Sequence, residues 1–285
     1  MTATILKGKE VGDAIVAKCV EDSEALRAKG IIPKLTIIRV GERQDDLAYE
    51  RGALKKMDSC KIDVEVVVLP ADINQADFVA KFKEINDDPK TNAILMFRPL
   101  PEQLNEEEIK VLIKPEKDVD CMNAANMGKL MIGDETGFYP CTAMAVMEIL
   151  NHFGIDVKGK DVAVINNSNV IGKPVSIMLT NAFATVTICH VFTKDVKTIT
   201  KNADIVISAV GRAGLVQPDQ LKEGCVLIDV AITQNAEGKM CGDAAPECAE
   251  VAGMLTPVPG GVGSVTTSVL AKYVIKACKI QNNLF

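Results

Sequence analysis

The amino-acid sequence predicts an α/β fold of two lobes with parallel sheets, and three observations lead to this prediction. Short β-rich runs alternate with helical runs of about ten to fifteen residues, which is typical of βαβ units. A polar stretch punctuated by prolines, from Pro99 to Pro140, interrupts the alternation. The 285 residues are enough for one large or two ordinary domains with a sizeable core.

The first series of elements begins with a helix over residues 7–29, which Gly30 ends as the residue just past the last turn. Strands and helices then alternate up to the polar stretch: strand Leu35–Val40, helix Asp45–Ser59, strand Val64–Leu69, helix Ala76–Ile85 and strand Ala93–Phe97. This order predicts a parallel sheet in the first lobe.

The second series begins with a helix over residues 142–153, which Gly154 ends. The remaining elements are strand Val162–Ile165, helix Gly172–Phe183, strands Thr185–Cys189, Ile205–Ala209 and Cys225–Val230, and a last helix over residues 264–280. We therefore expect one domain over residues 1–140, completed by the C-terminal helix within 264–285, and a second domain over residues 141–263.

Composition excludes several classes of protein. The net charge of −6 is spread over interspersed acids and bases, and no basic, aromatic-rich patch indicates nucleic-acid binding. No apolar run reaches the length of a membrane span, and the first residues lack the apolar core of a secretory signal. We expect a cytoplasmic protein that binds neither nucleic acid nor a membrane.

Cysteine and histidine usage predicts reduced thiols and no metal site. The nine cysteines form no C-x-x-C pair, and their odd number indicates reduced, mostly buried thiols. With only His152 and His190, a histidine-rich metal site is excluded and no metal is expected. His190 ends a predicted strand, and a structural role is favoured for it over a catalytic one.

Residues 255–263 read Leu-Thr-Pro-Val-Pro-Gly-Gly-Val-Gly, a run that cannot form regular helix or strand. Pro259, Gly260 and Gly261 would form a rigid backbone surface against a flat ligand. A tight turn with no ligand explains the same residues equally well.

Three strand ends in the second lobe favour a dinucleotide site. The turn from Asn166 to Pro174 joins a strand to a helix, where free backbone N–H groups would hold a phosphate. Small residues follow the strand that ends at Ser208, and Asp229–Ile232 closes the next strand. A polar loop without a ligand is the alternative for the first turn, which lacks the G-x-G-x-x-G pattern.

Two features of the first lobe suit a flat heterocycle. One carboxylate of Lys117–Asp120 would match the two parallel donors of an amidine-like edge, such as that of a pterin. The ring of Tyr49 would stack on such a ligand. A solvated acidic turn and a half-buried core tyrosine are the corresponding structural alternatives.

Together these segments resemble the methylenetetrahydrofolate dehydrogenase/cyclohydrolase family, called FolD in bacteria, over nearly the whole chain. The most specific match is Thr256–Gly263. The supporting matches are Ile94-Leu95, Pro99-Leu100-Pro101, Lys117–Asp120, Pro140-Cys141-Thr142, Ile171–Pro174, Cys189-His190, Ala203–Gly211 and Gly242-Asp243.

The resemblance implies an N-terminal α/β folate lobe and a Rossmann-like, dinucleotide-binding lobe with a parallel sheet, usually in a homodimer. It implies oxidation of 5,10-methylenetetrahydrofolate by NAD or NADP, followed by hydrolysis of the methenyl product. Tyr49 and Asp120 would be the catalytic residues. Folate would contact Tyr49, Phe97, Asp120 and Pro259–Gly261, and the dinucleotide would contact Asn166, Asn167, Ser168, Ile171, Val191, Ala209, Val210, Gly211 and Ile232.

Departures from the family pattern alter the expected chemistry on the folate side. The lysine of the family's Tyr-x-x-x-Lys motif is Ala53, and the serine three residues before the tyrosine is Asp46. The family's Gln-Leu-Pro-Leu-Pro begins here with Phe97-Arg98. Because that lysine and glutamine handle water in the family, we expect weak or absent cyclohydrolase activity. Lys56 lies on the same helix face as Tyr49, and a surface position is favoured for it.

On the cofactor side, the family arginine is Asn167 and the family serine after Cys-His is Val191. Both family residues are associated with the 2′-phosphate of NADP, so NAD is the preferred cofactor, while Lys173 and Lys194 keep NADP open. The alternatives are an ordinary bifunctional NADP enzyme and a catalytically silent folate-binding subunit.

Overall fold

The structure, a computed structural model, describes residues 3–285. The helices in the described part are α1 Gly8–Arg27, α2 Gln44–Ser59, α3 Gln75–Asp87, α4 Glu106–Lys110, α5 Ala124–Ile132, α6 Cys141–His152, α7 Gly172–Asn181, α8 Val196–Asn202 and α9 Gly263–Gln281. The strands are β1 Thr4–Ile5, β2 Lys34–Val40, β3 Asp63–Leu69, β4 Ala93–Met96, β5 Asp161–Ile165, β6 Thr185–Cys189, β7 Ile205–Ser208, β8 Val226–Asp229, β9 Thr233–Gln234, β10 Met240–Cys241 and β11 Met254–Leu255.

The chain divides into two compact units. The N-terminal unit comprises Ala14–Leu130, Asp134–Cys141 and Thr267–Phe285, and the C-terminal unit comprises the residues up to Asp13, Met131–Gly133 and Thr142–Thr266. The α/β class and the parallel sheets are as the sequence predicts. The domain boundaries at 140 and 263 stay predictions.

The sheet of the N-terminal unit has three parallel strands in the order β3-β2-β4. Its central strand β2 is buried along nearly its whole length, as a strand flanked on both sides should be. One face packs on α3, where Phe78 and Phe82 stack at 6.2 Å between ring centroids. The carboxyl end of β4 leads directly into Phe97, one of the expected site residues.

The sheet of the C-terminal unit has six parallel strands in the order β1-β11-β8-β7-β5-β6. Strands β5, β7 and β8 lie side by side, with Ile165 opposite Ser208 and Ser208 opposite Asp229. Their carboxyl ends therefore meet at one edge, which is where open α/β sheets bind ligands.

Three parts of the fold differ from the sequence prediction. The polar stretch from Pro99 to Pro140 holds α4, α5 and a short 3-10 turn. Asn105 caps α4 by accepting from the Glu108 amide. Helix α8 was not predicted, although Asp195 caps it in the same way. The two-residue strands β1 and β11 pair with each other and extend the sheet of the C-terminal unit.

All nine cysteines are free, and eight of them are buried, as expected. Across residues 3–285, no helix combines the length and hydropathy that a membrane span requires. The same residues contain no cluster of three or more histidine, cysteine or acidic side chains suited to a metal ion.

Candidate active site

Helix α2 carries Tyr49 and, one turn later on the same face, Ala53. Tyr49 is 38% exposed, whereas Ala53 is completely buried. Desolvation of the phenol group, with nearby Cys141 and Asp120, raises the pKa of Tyr49. Tyr49 is therefore a neutral hydrogen-bond donor at physiological pH, on a helix face that offers no amine at the next turn.

Phe97, directly after β4, meets Tyr49 edge to face, with ring centroids 5.6 Å apart and an interplanar angle of 82°. Phe97 is buried, so its ring holds Tyr49 from the interior side. Such an aromatic pair is worth roughly 0.5–1.5 kcal/mol beyond its burial. Tyr49 stays partly exposed beside this buried ring and lines the cavity.

The two carboxylates of Lys117–Asp120 have separate roles. Asp118 is completely buried and accepts hydrogen bonds from the amides of Met122 and Asn123, at 2.9 and 2.8 Å, and from the Asn126 side chain at 3.1 Å. It therefore holds its own turn together. Asp120 is the carboxylate that reaches the cavity containing Tyr49.

The cavity at Tyr49 has a volume of about 350 Å³ and lies within the N-terminal unit. The structure brings together Tyr49, Phe97 and Asp120, the expected site residues of this unit. The lining residues are Arg43, Asp45, Asp46, Tyr49, Leu95, Met96, Phe97, Arg98 and Asp120.

Arg98 was not predicted as a site residue. Its Nη2 donates to Asp120 Oδ2 and its Nη1 to Glu106 Oε1, both at 3.3 Å. Burial outweighs the arginine and raises the pKa of Asp120 to about 6. The sequence signal was the arginine itself, standing where the family pattern has leucine, beside Phe97.

The charged residues at the start of α2 partly neutralise each other. Asp46 is buried and lies 3.7 Å from Arg43 Nε, while Arg43 Nη1 donates to the Pro99 carbonyl at 2.8 Å. Asp46 is thus an ion-paired acid at a helix N-terminus. Lys56 is half-buried and is not among the residues lining this cavity.

A second cavity, of about 730 Å³, lies in the C-terminal unit at the ends of β5 and β6. It brings together Asn166, Asn167, Val191 and Val210 of the expected cofactor residues. Val191 and Phe192 are 92% and 85% exposed, so two apolar side chains project at its mouth. The complete lining is Ile165, Asn166, Asn167, Cys189, His190, Val191, Phe192, Thr193, Val196, Val210, Arg212, Leu215 and Gln220.

Several amides at the start of α7, where the sequence predicts a phosphate cradle, bond within their own turn. Asn166 Oδ1 accepts from the amides of Ser168 and Gly172, at 2.8 and 3.1 Å, and Ser168 Oγ accepts from the Ile171 amide at 3.1 Å. The Lys173 amide donates to the Ser168 carbonyl. These four N–H groups are therefore satisfied within the turn. That the rest of the turn holds a phosphate stays a prediction.

Glycine at position 172 is explained by the same turn. A Cβ there would lie 2.0 Å from the Asn166 carbonyl oxygen. The strand-to-helix turn therefore needs glycine for close packing of the backbone, whether or not a dinucleotide binds. Ser168 and Ile171 do not line the cavity.

The loop after β7 is held by the buried carboxylate of Asp243. Its oxygens accept from Ser208 Oγ at 2.6 Å and from the amides of Val210, Gly211 and Arg212 at 2.7, 2.8 and 2.7 Å. Three consecutive N–H groups form an anion-binding concavity, and a side chain of the protein fills it. Val210 lines the cavity, and Ala209 and Gly211 are not among its lining residues. Their contact with the dinucleotide stays a prediction.

The Pro259–Gly261 segment lies in the C-terminal unit and follows a cis Val258–Pro259 bond. Gly260 has φ +103°, and a Cβ on Gly261 would lie 2.5 Å from the Pro257 carbonyl oxygen. The turn itself requires both glycines, so they do not by themselves indicate a ligand. Ile232, which is 59% exposed, lies against Gly263, the first residue of α9.

Comparison with known proteins decides the family. The model of the tetrahydrofolate dehydrogenase/cyclohydrolase catalytic domain matches residues 6–120, and that of the NAD(P)-binding domain of the same family matches residues 140–282. The chain belongs to the tetrahydrofolate dehydrogenase/cyclohydrolase family. This confirms the resemblance seen in the sequence.

Individual relatives match over their whole length. The bifunctional protein FolD of Alkaliphilus oremlandii is 51% identical over 284 residues, which cover 99% of this chain and 100% of the relative. The crystal structure of FolD from Campylobacter jejuni superposes with a TM-score of 0.95 at 36% identity, covering 98% of this chain and 99% of that one. FolD of Trypanosoma brucei, complexed with NADP and an inhibitor, gives 0.90 at 35% identity, with 98% of each chain covered.

Proposed function

We propose that this chain oxidises 5,10-methylenetetrahydrofolate to 5,10-methenyltetrahydrofolate by hydride transfer to a nicotinamide dinucleotide, with weak or absent cyclohydrolase activity. Membership of the family supports the dehydrogenase. The observation that carries the loss of hydrolysis is Ala53, a buried methyl group where the family has its lysine.

The residues of the N-terminal unit suit the binding and orientation of a pterin. Tyr49 presents its ring to the heterocycle, and Phe97 keeps that ring in place. Asp120 accepts from the donor edge of the pterin. Bound nicotinamide would supply the hydride acceptor, while lone pairs on N5 and N10 of the folate stabilise the cation that forms. Orientation alone contributes several kcal/mol to such a step.

Hydrolysis requires more than orientation, because water must be placed and protons moved. The residues that line the Tyr49 cavity include no lysine, and the family's glutamine is the hydrocarbon ring of Phe97. The basic side chains that line the cavity are two arginines, and a guanidinium group is a poor general base. The hydrolytic step should therefore be impaired selectively.

The test starts from methenyltetrahydrofolate and follows the loss of its absorbance. We expect decay at close to the uncatalysed rate with or without enzyme, and accumulation of the methenyl product from methylenetetrahydrofolate and NAD. Lys56→Ala is the informative variant. Enzyme-dependent decay that this change abolishes would show that the lysine function has moved along α2, and the monofunctional proposal would be wrong.

The cavity of the C-terminal unit fits the adenosine portion of a dinucleotide, and we propose NAD as the preferred cofactor. Asn167 and Val191 offer an amide and an apolar group where the family has the residues associated with a 2′-phosphate. Arg212 is the cation that lines this cavity, and it is the candidate phosphate ligand if NADP is used. Lys173 instead donates to Asn169 Oδ1 at 2.8 Å.

We expect a higher kcat/KM with NAD than with NADP, and a shift towards NADP in the double variant Asn167→Arg/Val191→Ser. A charge-assisted hydrogen bond contributes about 1.5–3 kcal/mol, so the NADP kcat/KM should rise by about ten- to a hundred-fold. Asn169→Arg is the control, because it adds the same charge nearby but outside the cavity lining. Equal or better use of NADP by the unmodified enzyme would contradict the preference.

The second candidate is the ordinary bifunctional enzyme using NADP. It is favoured by the relatives' name and by the NADP bound in the Trypanosoma brucei structure. A catalytically silent folate-binding subunit is the third, and any turnover of methylenetetrahydrofolate excludes it. We also propose, from the family resemblance, that the protein is cytoplasmic and forms a homodimer. Sedimentation would test the homodimer.

A further inference from the structure

Arg98 is a charged group of the Tyr49 cavity with no counterpart in the family pattern, which has leucine at this place. It lies between two carboxylates and joins Asp120 to Glu106 of α4 through separate nitrogens, each at 3.3 Å. All three side chains are only partly exposed, at 29% for Arg98, 24% for Asp120 and 29% for Glu106. Water therefore screens the pair less than it screens an ion pair on the surface.

We propose that Arg98 is a positioning residue of the folate site, which keeps the Asp120 carboxylate ionised and oriented for the donor edge of the pterin. This inference rests on the proposed folate function. Arg98 uses Oδ2 of Asp120, and Glu106 anchors the other arm of the guanidinium from α4. A planar guanidinium held at two nitrogens fixes the direction from which it donates to the Asp120 carboxylate, and its positive charge favours the ionised form of that carboxylate.

The charge of Asp120 needs this support because its surroundings oppose it. Desolvation raises the pKa of Asp120, Arg98 lowers it and Asp118 raises it, and together they bring it to about 6. The titratable and charged groups around it are Arg98 and Glu106 from the β4–α4 segment, Arg43, Asp45, Asp46 and Tyr49 from α2, Asp118 and Cys121 from its own loop, and Cys141 from α6.

A protonated Asp120 would lose its anionic character, and its hydroxyl hydrogen would face the pterin donors. Binding should therefore weaken as pH falls through the pKa of this group. Without Arg98 the midpoint of that loss should move upward. An opposite charge at this distance lowers a carboxyl pKa by about 1–3 units, and partial exposure favours the lower end of that range.

The experiment compares the full chain with Arg98→Met, Arg98→Lys and Glu106→Gln. The ionisation of Asp120 is followed by NMR of the labelled carboxyl carbon without ligand, and tetrahydrofolate binding by calorimetry from pH 5 to 8. We expect Arg98→Met to raise the pH midpoint of the NMR titration and that of tetrahydrofolate binding by about one unit each. At the highest pH its affinity for tetrahydrofolate should match that of the unmodified protein. Arg98→Lys should stay near the unmodified protein, and Glu106→Gln should leave the midpoints unchanged or lower them.

Three results would overturn the proposal. An unchanged NMR midpoint in Arg98→Met would show that the arginine does not control the charge of Asp120. An equal loss of tetrahydrofolate affinity at every pH would make Arg98 a direct ligand contact, and tighter binding would make it a competitor for Asp120. Failure of the unmodified protein to bind tetrahydrofolate, with the NMR shift intact, would instead contradict the folate function.

Discussion

At the scale of single residues, sequence patterns found the candidate site but not how its charges are arranged. The spacing of Tyr49 and Ala53 predicted a shared helix face, and the structure places them one turn apart on α2. Local pattern left open which acid of Lys117–Asp120 reaches the cavity, and only the family resemblance named Asp120. The contact between Phe97 and Tyr49 depends on the end of β4 meeting α2, which no local pattern contains.

The division of labour between the two acids gives a paired prediction. Asp120→Ala should weaken tetrahydrofolate binding by about 2–5 kcal/mol, the range for removing one member of a buried charged contact. Its melting temperature without ligand should change little, because Arg98 keeps Glu106 as a partner. Asp118→Ala should instead lower stability by about 1–3 kcal/mol for each buried donor left without an acceptor.

Calorimetry with tetrahydrofolate and thermal melts of both variants check this pair. An unaltered affinity in Asp120→Ala would place that residue in a structural turn. Loss of stability in Asp120→Ala equal to that in Asp118→Ala would show that the two carboxylates are not separated as the contacts indicate.

At the scale of elements, the long apolar strands and their helices were predictable and the short polar elements were not. β2 and β5 are buried runs whose sequence reads as strand without any tertiary knowledge. β1 and β11 have two residues each and depend on their neighbours in the sheet, since β1 pairs with β11 and β11 also pairs with β8. The amides at the start of α7 were expected to be free, but the Asn166 side chain accepts from that of Gly172, a contact that no local sequence pattern predicts.

The Asp243 loop gives the prediction at this scale. Asp243→Asn keeps one acceptor oxygen and turns the other position into a donor, so at least one of the facing N–H groups loses its partner. We expect a loss of stability of about 1–3 kcal/mol and a higher KM for NAD, since Val210 lines the cofactor cavity. The carboxylate's contact with Ser208 supplies a milder control, because Ser208→Ala removes a single donor.

Thermal melts and steady-state kinetics with NAD as the varied substrate would measure both effects. A variant that loses stability but keeps its KM for NAD would show that the loop supports the sheet and not the cofactor site.

At the scale of the whole molecule, two sets of aspartates have shifted pKa values and opposite pH behaviour. Exposed and half-buried acids that gain hydrogen bonds or ion pairs have lowered pKa values: Asp87, Asp88, Asp134, Asp195, Asp204 and Asp219. Those whose desolvation dominates have raised values: Asp118, Asp120 and Asp229. The first set stabilises the folded chain above pH 4, and the second set opposes it.

Asp229 gives the clearest test of this balance, because it is 3% exposed and burial raises its pKa to about 6. An unfolded aspartate titrates near about 3.9, so between roughly pH 4 and 6 the folded chain holds more protons at this site than the unfolded chain. The stabilisation from this group is thus present below about pH 4 and is lost as pH rises through about 6.

Asp229→Asn should flatten the fall in unfolding free energy over that window by about 1–3 kcal/mol, measured by denaturant titrations at pH 4.5, 5.5 and 7. Asp134→Asn is the contrasting variant, because hydrogen bonds from Thr136 lower the pKa of this acid. It should leave the slope above about pH 4.5 nearly unaltered, since a lowered carboxyl pKa affects stability only as pH falls below about 4. If Asp229→Asn leaves the slope unaltered, the buried acid is not a source of the pH dependence.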